Sequence, residues 1–267
     1  MSNLPLFFRS VVALDRDAHR SWSLAHPQRF GFARASHLVP AVVDEFAAAC
    51  RHLPILFLPE SLGPTPVFLT GLVPGRSALV DGAGAWTGRY LPAYLRRYPF
   101  ILGESGSEGA APIVCLDDSD PALIGPAAGA GEGGRQPLFA ADGSDTPLLQ
   151  ERVRLVAEYA EAARRTAAFG RVLQDLGLLT ALTVQGQDPS TGAAHSLHGV
   201  MGVDEAALAA LSEEGFARLR REGVLPAVYA HLVSLQTISD FTLTFAVPAG
   251  QTPASSSPSS SSSGADT

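Results

Sequence analysis

The chain has no lysine: all 19 of its basic side chains are arginine. Beside its 26 glycines and many alanines, this points to a codon-biased genome rather than to a function. It still matters physically, because the planar arginine fork stacks on aromatic rings and grips a carboxylate or phosphate through two hydrogen bonds. Cysteine is almost as scarce. Cys50 and Cys115 sit in apolar surroundings and are expected to be buried free thiols. Lying far apart, they exclude a cysteine-rich zinc site. No apolar run approaches the roughly 18 residues of a membrane-spanning helix. Residues 1–10 lack the charged and long apolar regions of a secretory signal. The expected location is therefore the cytoplasm, with export by a non-classical route left open.

Catalytic signatures are missing too. The seven histidines form no His-Glu-x-x-His and begin no His-x-Asp/Glu pair, which removes the local signals of a metalloprotease and of an iron facial triad. His195 and His198 are the one close pair, and their loop-like setting reads as solvated. No Gly-x-Ser-x-Gly elbow occurs. Gly129–Gly134 fits the letters of a dinucleotide fingerprint, but Gln136-Pro137 follows where a helix must open. Asp117, Asp118 and Asp120 lack the glycine and terminal glutamate of a calcium loop and read as a solvated acidic turn. No metal and no cofactor are expected.

Net charge is −7 and unevenly placed: residues 1–100 hold 10 arginines against 6 acids, and the remainder holds 9 against 20. That gives no support to nucleic-acid binding, which wants a strongly basic face. It suits two parts of one protein that attract each other.

The apolar pattern predicts an α+β fold. Residues 4–14, 22–32, 55–58, 66–72 and 77–80 read as strands, with a helix from Pro40 to His52 among them. Ile113–Leu116 is a further strand. The second part is helix-rich. Thr146 caps a helix with Pro147 at its first position, running to about Leu176, with Val153, Val156, Ala160, Phe169 and Leu173 facing inward. Glu161 and Arg165 are spaced to pair, and Gly177 closes the helix. Strands at 179–184 and 197–203 precede helices capped by Asp204 and Ser212, and a third helix spans 225–235. Phe241–Val247 is a last strand candidate. Residues 1–249 are expected to form a single domain, with 125–134 as its possible internal boundary. The Ser/Pro-rich residues 250–267 are expected to be disordered.

One stretch, Trp86 to Phe100, is denser in large directional side chains than any other. Trp86, Arg89, Tyr90, Tyr94, Arg96, Arg97 and Tyr98 set planar cations beside stacking surfaces, suited to a carboxylate, a phosphate or a sugar face. Pro92 and Pro99 stiffen it, lowering the ordering cost of binding. A core role competes with this reading, since tyrosine and tryptophan fill interiors where their polar tips find partners. Burial of the guanidinium groups against acids would count against a site.

The same stretch, Tyr90-Leu-Pro-Ala-Tyr94-Leu-Arg-Arg97-Tyr-Pro-Phe100, resembles the central motif of the bacterial SapC family. Leu4-Pro-Leu-Phe-Phe8, His37-Leu-Val-Pro40 with Glu45-Phe46, Pro54-Ile-Leu-Phe57, Val203-Asp-Glu205 and Tyr229-Ala-His231-Leu-Val-Ser234-Leu235 resemble its other segments. Ser77 stands where the family pattern has asparagine. The resemblance covers about residues 3–240 and assigns no catalytic residue. The first reading is a soluble, non-enzymatic accessory protein of the SapC type, linked to cell-envelope or surface-layer biology, that binds a protein or small anionic ligand through Trp86–Phe100. The alternative is an enzyme on a small molecule, peptide or glycan, with Arg89, Arg96 and Arg97 holding an acidic substrate.

Overall fold

The computed structural model describes residues 4–61, 63–103, 112–125, 134–187 and 192–238. The expected Ser-rich tail, the Phe241–Val247 strand and most of the 125–134 boundary lie outside these residues.

The apolar opening forms less strand than its composition predicts. Only β1 (Val11–Ala13) is extended, because residues 4–10 are held by side chains instead of a ladder. β2 (Ser23–His26) is likewise short, and a single 3₁₀ turn (Gly31–Ala33) follows. Pro40 does not start a helix. It ends β3 (Leu38–Pro40), and the chain then makes a 3₁₀ turn at Val43–Glu45 and one α turn, α1 (Phe46–Ala49). β4 (Ile55–Leu58) and β5 (Thr65–Leu69) pair antiparallel. Residues 77–80 contribute only a bridge, Val80 to Trp86. A five-residue helix, α2 (Ala93–Arg97), leads into β6 (Phe100–Gly103), which pairs with β7 (Ile113–Asp117). β8 (Leu123–Ile124) and β9 (Gly134–Pro137) flank β2.

The second part matches its local signals closely. The Thr146 side chain accepts the Leu149 N–H and opens α3 (Pro147–Asp175). Gly177, at φ 62°, closes it, and the Leu178 N–H donates to the Leu173 carbonyl. β10 (Leu179–Gln187) and β11 (Ala194–Val203) form the longest antiparallel pair. His195 and His198 lie on β11 and not in a loop. Asp204 caps α4 (Glu205–Ala209), Ser212 caps α5 (Glu213–Arg221), and α6 (Leu225–Leu235) carries Pro226 in its first turn.

The strands form three antiparallel sheets, ordered β1-β7-β6, β8-β2-β9 and β10-β11-β4-β5-β3. The fold is α+β. At 29 residues, α3 is about 43 Å long and serves three apolar clusters. Its first half gives Leu149 and Val156 to a cluster with Phe100, Leu116 and Leu138. Its last half gives Phe169, Val172 and Leu173 to the cluster around β4 and β5. Between them, Tyr159 packs on a third cluster holding Tyr94 and Leu95. Gly170 is needed where α3 crosses the chain before β5, since a Cβ there would lie 2.5 Å from the Pro64 carbonyl oxygen. Cys50 and Cys115 are buried free thiols.

Two buried titratable groups give the fold opposite pH responses. His231 joins α6 to the large sheet, its Nε2 accepting the Val203 N–H at 3.0 Å, and burial pulls its pKa down to about 4. The unfolded chain takes up that proton near 6.5, so the folded state loses stability as pH falls from 6.5 to 4, by on the order of 3 kcal/mol. Asp120 is the reverse. Burial pushes its pKa up to about 6, so the folded chain keeps a proton that the unfolded chain releases near 3.8, and stability falls as pH rises across that window. Urea unfolding across this range should show Asp120→Asn gaining on the wild type as pH rises. It should show the deficit of His231→Asn shrinking as pH falls. Profiles parallel to the wild type would contradict both assignments.

Candidate functional site

Glu45 is the residue that builds the site. The 3₁₀ turn carrying it is fixed to α3 twice, by the Val43 N–H donating to Thr166 Oγ1 at 2.8 Å and by an Asp44–Arg165 ion pair at 2.6 Å. Arg165 therefore does not pair with Glu161, which meets Arg164 instead. The Glu45 carboxylate is buried and its Oε1 takes three donors. These are the Tyr90 hydroxyl at 2.7 Å, the Ala93 N–H at 2.6 Å and Arg96 Nη2 at 3.5 Å. Ala93 is the first residue of α2, so a carboxylate from 48 positions upstream fills a role normally taken by a local cap. Burial raises the Glu45 pKa above the usual carboxylate range, outweighing the Tyr90, Ala93 and Arg96 donors. Glu45 Oε2 is buried without a hydrogen-bond partner among the described residues.

The seven residues singled out in the sequence divide in two. Tyr94, Arg97 and Tyr98 face inward. Tyr94 donates its hydroxyl to the Leu6 carbonyl at 2.9 Å. Tyr98 donates to Asp117 Oδ2 at 3.3 Å and packs on Phe8 and Phe32. Arg97 is only 6% exposed, with its guanidinium 4.3 Å from the Tyr159 ring centre, 4.4 Å from Tyr94 and 5.5 Å from Phe8. It is caged by rings, and no acid among the described residues pairs with it. The other four lie nearer solvent. The Trp86 indole donates to the Tyr90 carbonyl at 2.9 Å, Tyr90 and Arg96 are half-buried, and Arg89 is exposed.

Two members of the cluster escaped the sequence reading. From α3, Arg152 donates Nη1 to the Arg96 carbonyl at 2.7 Å, and Tyr159 closes the cage on Arg97. Arg152, Val156 and Tyr159 recur at spacings of four and three, so an inward stripe through Val156 contains all three. Glu45 left a signal as well, as an acid next to Phe46 and three residues after Val42, within an apolar helical spacing. Burial lowers the Arg152 pKa and raises those of Tyr90, Tyr94 and Tyr159. The cluster thus offers fixed positive charge, planar donors and phenols that stay protonated, together with one carboxyl group that holds its proton unusually well.

Asp117, Asp118 and Asp120 do not form a solvated turn. Asp117 and Asp120 are buried, and Asp117 binds the N-terminal stretch. Among the described residues no group of histidine, cysteine or acid side chains is placed to hold a metal.

The SapC family model matches residues 14–241, nearly all of the chain outside its two ends. The chain belongs to the SapC family. The SapC match contains the whole of Trp86–Phe100 together with Glu45, Arg152 and Tyr159, so the site lies wholly within it. Leu4–Phe8, which also resembles SapC sequence, falls before the matched residues. Ser77, the departure from the SapC pattern, is buried and its Oγ accepts the Leu79 N–H at 3.2 Å. No curated protein and no solved structure matches the chain. Among the described residues no helix is long and apolar enough to cross a membrane.

Proposed function

We propose that the Trp86–Phe100 segment, completed by Arg152, recognises a small anion or an anionic group on a partner protein. One observation carries this reading. Arg96 and Arg97 are neighbours on α2, Arg152 bonds the Arg96 carbonyl, and each of the three has a buried Nε–H with no acceptor among the described residues. Only Glu45 stands against them: Arg96 reaches it at 3.5 Å, and neither Arg97 nor Arg152 has a carboxylate within ion-pair distance among the described residues. Buried donors and charges are normally satisfied, and a carboxylate or phosphate supplies both the acceptors and the missing negative charge. Arg97 serves as the fixed interior member, while Arg89, Tyr90 and Arg96 form the side a ligand reaches first. This recognition would serve a non-enzymatic accessory role, exercised from the cytoplasm, and membership of the SapC family is what suggests the link to cell-envelope or surface-layer biology.

Thermal unfolding of the full chain in phosphate, citrate and chloride at matched ionic strength tests the reading. Phosphate and citrate also stabilise proteins by exclusion from their surface, so the comparison is with Arg96→Gln plus Arg152→Gln in the same buffers. The wild type should gain more in phosphate or citrate than the double variant does, with an excess that saturates as specific binding requires. Equal gains would remove these arginines from any anion site.

A further inference from the structure

The molecule carries a second surface that the arginine cluster does not explain. Helices α4, α5 and α6 enclose an open groove of about 440 Å³, floored by Leu208, Leu211 and Leu232 and walled by Phe216 and Tyr229. Phe216 is 43% exposed, Tyr229 51% and the nearby Val233 44%, which makes this an unusual concentration of exposed apolar surface. Its charged lining is acidic only. Glu205 and Glu213 sit in the first turns of α4 and α5, both exposed and neither in an ion pair among the described residues.

The complement to this groove is on the same chain. Leu4 and Leu6 are 37% and 44% exposed, on a stretch that also carries the exposed Arg9 and has no acid between residues 4 and 10. That stretch is rigidly presented. The Leu6 carbonyl accepts the Tyr94 hydroxyl at 2.9 Å, and the Arg9 N–H donates to Asp117 at 2.7 Å. Residues 4–9 do not line their own chain's groove. An apolar plug with a positive charge and an apolar groove with a negative rim thus coexist in one molecule without meeting.

We propose that Leu4 and Leu6 of one copy insert into the α4–α5–α6 groove of a second copy, with Arg9 facing Glu205 and Glu213. Plug and groove are different surfaces, so the contact is head-to-tail, and every assembly keeps one free groove at one end and one free plug at the other for further copies. The contact is small, which puts its affinity in the weak range, on the order of 0.1 mM. Assembly by this route grows with concentration and weakens with salt as the charges are screened.

Sedimentation velocity of the full chain from low micromolar to millimolar concentration tests this, using Leu4→Asp plus Leu6→Asp as the plug variant and Tyr229→Asp as the groove variant. All three positions are exposed, and circular dichroism confirms that the variants fold. The wild type should show a mean mass rising with concentration, while each variant alone stays monomeric. An equimolar mixture of the two variants retains one intact plug and one intact groove, and should form a one-to-one dimer that grows no further. A wild type that stays monomeric throughout overturns the proposal, as does a plug variant that associates as the wild type does. If the wild type stays monomeric and removal of residues 239–267 then releases association, the groove is covered by the chain's own following residues, and the proposal fails.

Discussion

Glu45→Ala is expected to cost about 2–4 kcal/mol of stability, the scale of leaving two donors at a buried acceptor unsatisfied. The loss leaves the Tyr90 hydroxyl and the Ala93 N–H without their acceptor, and leaves Arg96 without its only acidic neighbour among the described residues. Because α2 has five residues, it cannot stand on its own hydrogen bonds, so the damage should spread along Tyr90–Arg97. Glu45→Gln separates geometry from charge. Its amide oxygen can still accept from Tyr90 and Ala93, and burial already disfavours the ionised carboxylate. The Gln variant should therefore lose only about 1 kcal/mol, the scale of a single hydrogen bond. Since the folded-state pKa of Glu45 is raised, its ionisation weakens the folded state as pH climbs, and the Gln variant should gain on the wild type over the same climb. Urea unfolding of both variants measures these differences. Similar losses for Ala and Gln would mean that Glu45 does not organise the segment through its oxygen atoms.

Asp117→Ala should cost a comparable amount, about 3 kcal/mol or more, for a different reason. Asp117 is fully buried and accepts from the backbone N–H groups of Arg9, Ser10 and Ser119, from the Ser119 hydroxyl and from Tyr98. Burial acts to raise its pKa, but the donors of Ser119, Arg9 and Ser10 prevail and hold it below the ordinary carboxylate range. Its stabilising contribution is present above pH 3.8 and is lost as pH falls through its lower folded-state pKa. The distinguishing sign is local. Amide hydrogen exchange at Arg9 and Ser10 should accelerate before the rest of the chain opens, because Asp117 is their acceptor. Unchanged protection there would contradict the role given to Asp117.

The legible parts of the fold were those whose causes are local. The Thr146 cap, the Gly177 terminus, and the Asp204 and Ser212 caps each act within a few residues, and the second half of the chain folds where they say. The misread parts have distant causes. Residues 4–10 look like a strand by composition, but Asp117 holds their amides from over 100 positions away. Pro40 looks like a helix start, yet β3 finds β5 as a partner and leaves one α turn behind it. Arg165 has Glu161 at helical spacing and pairs with Asp44 across the fold. The candidate site shows the same division. The dense stretch was visible in the sequence, but the acid that anchors it and the α3 residues that complete it come from elsewhere, so its split into a buried side and an accessible side could not be read from the motif.

Untargeted mass spectrometry of the small molecules that stay with the native full chain through purification tests the central claim most directly, with the wild type run beside Arg96→Gln plus Arg152→Gln. The account predicts that a carboxylate- or phosphate-bearing species accompanies the wild type and is lost or strongly depleted from the double variant. A neutral or cationic companion, or an anionic one retained equally by both proteins, would contradict it.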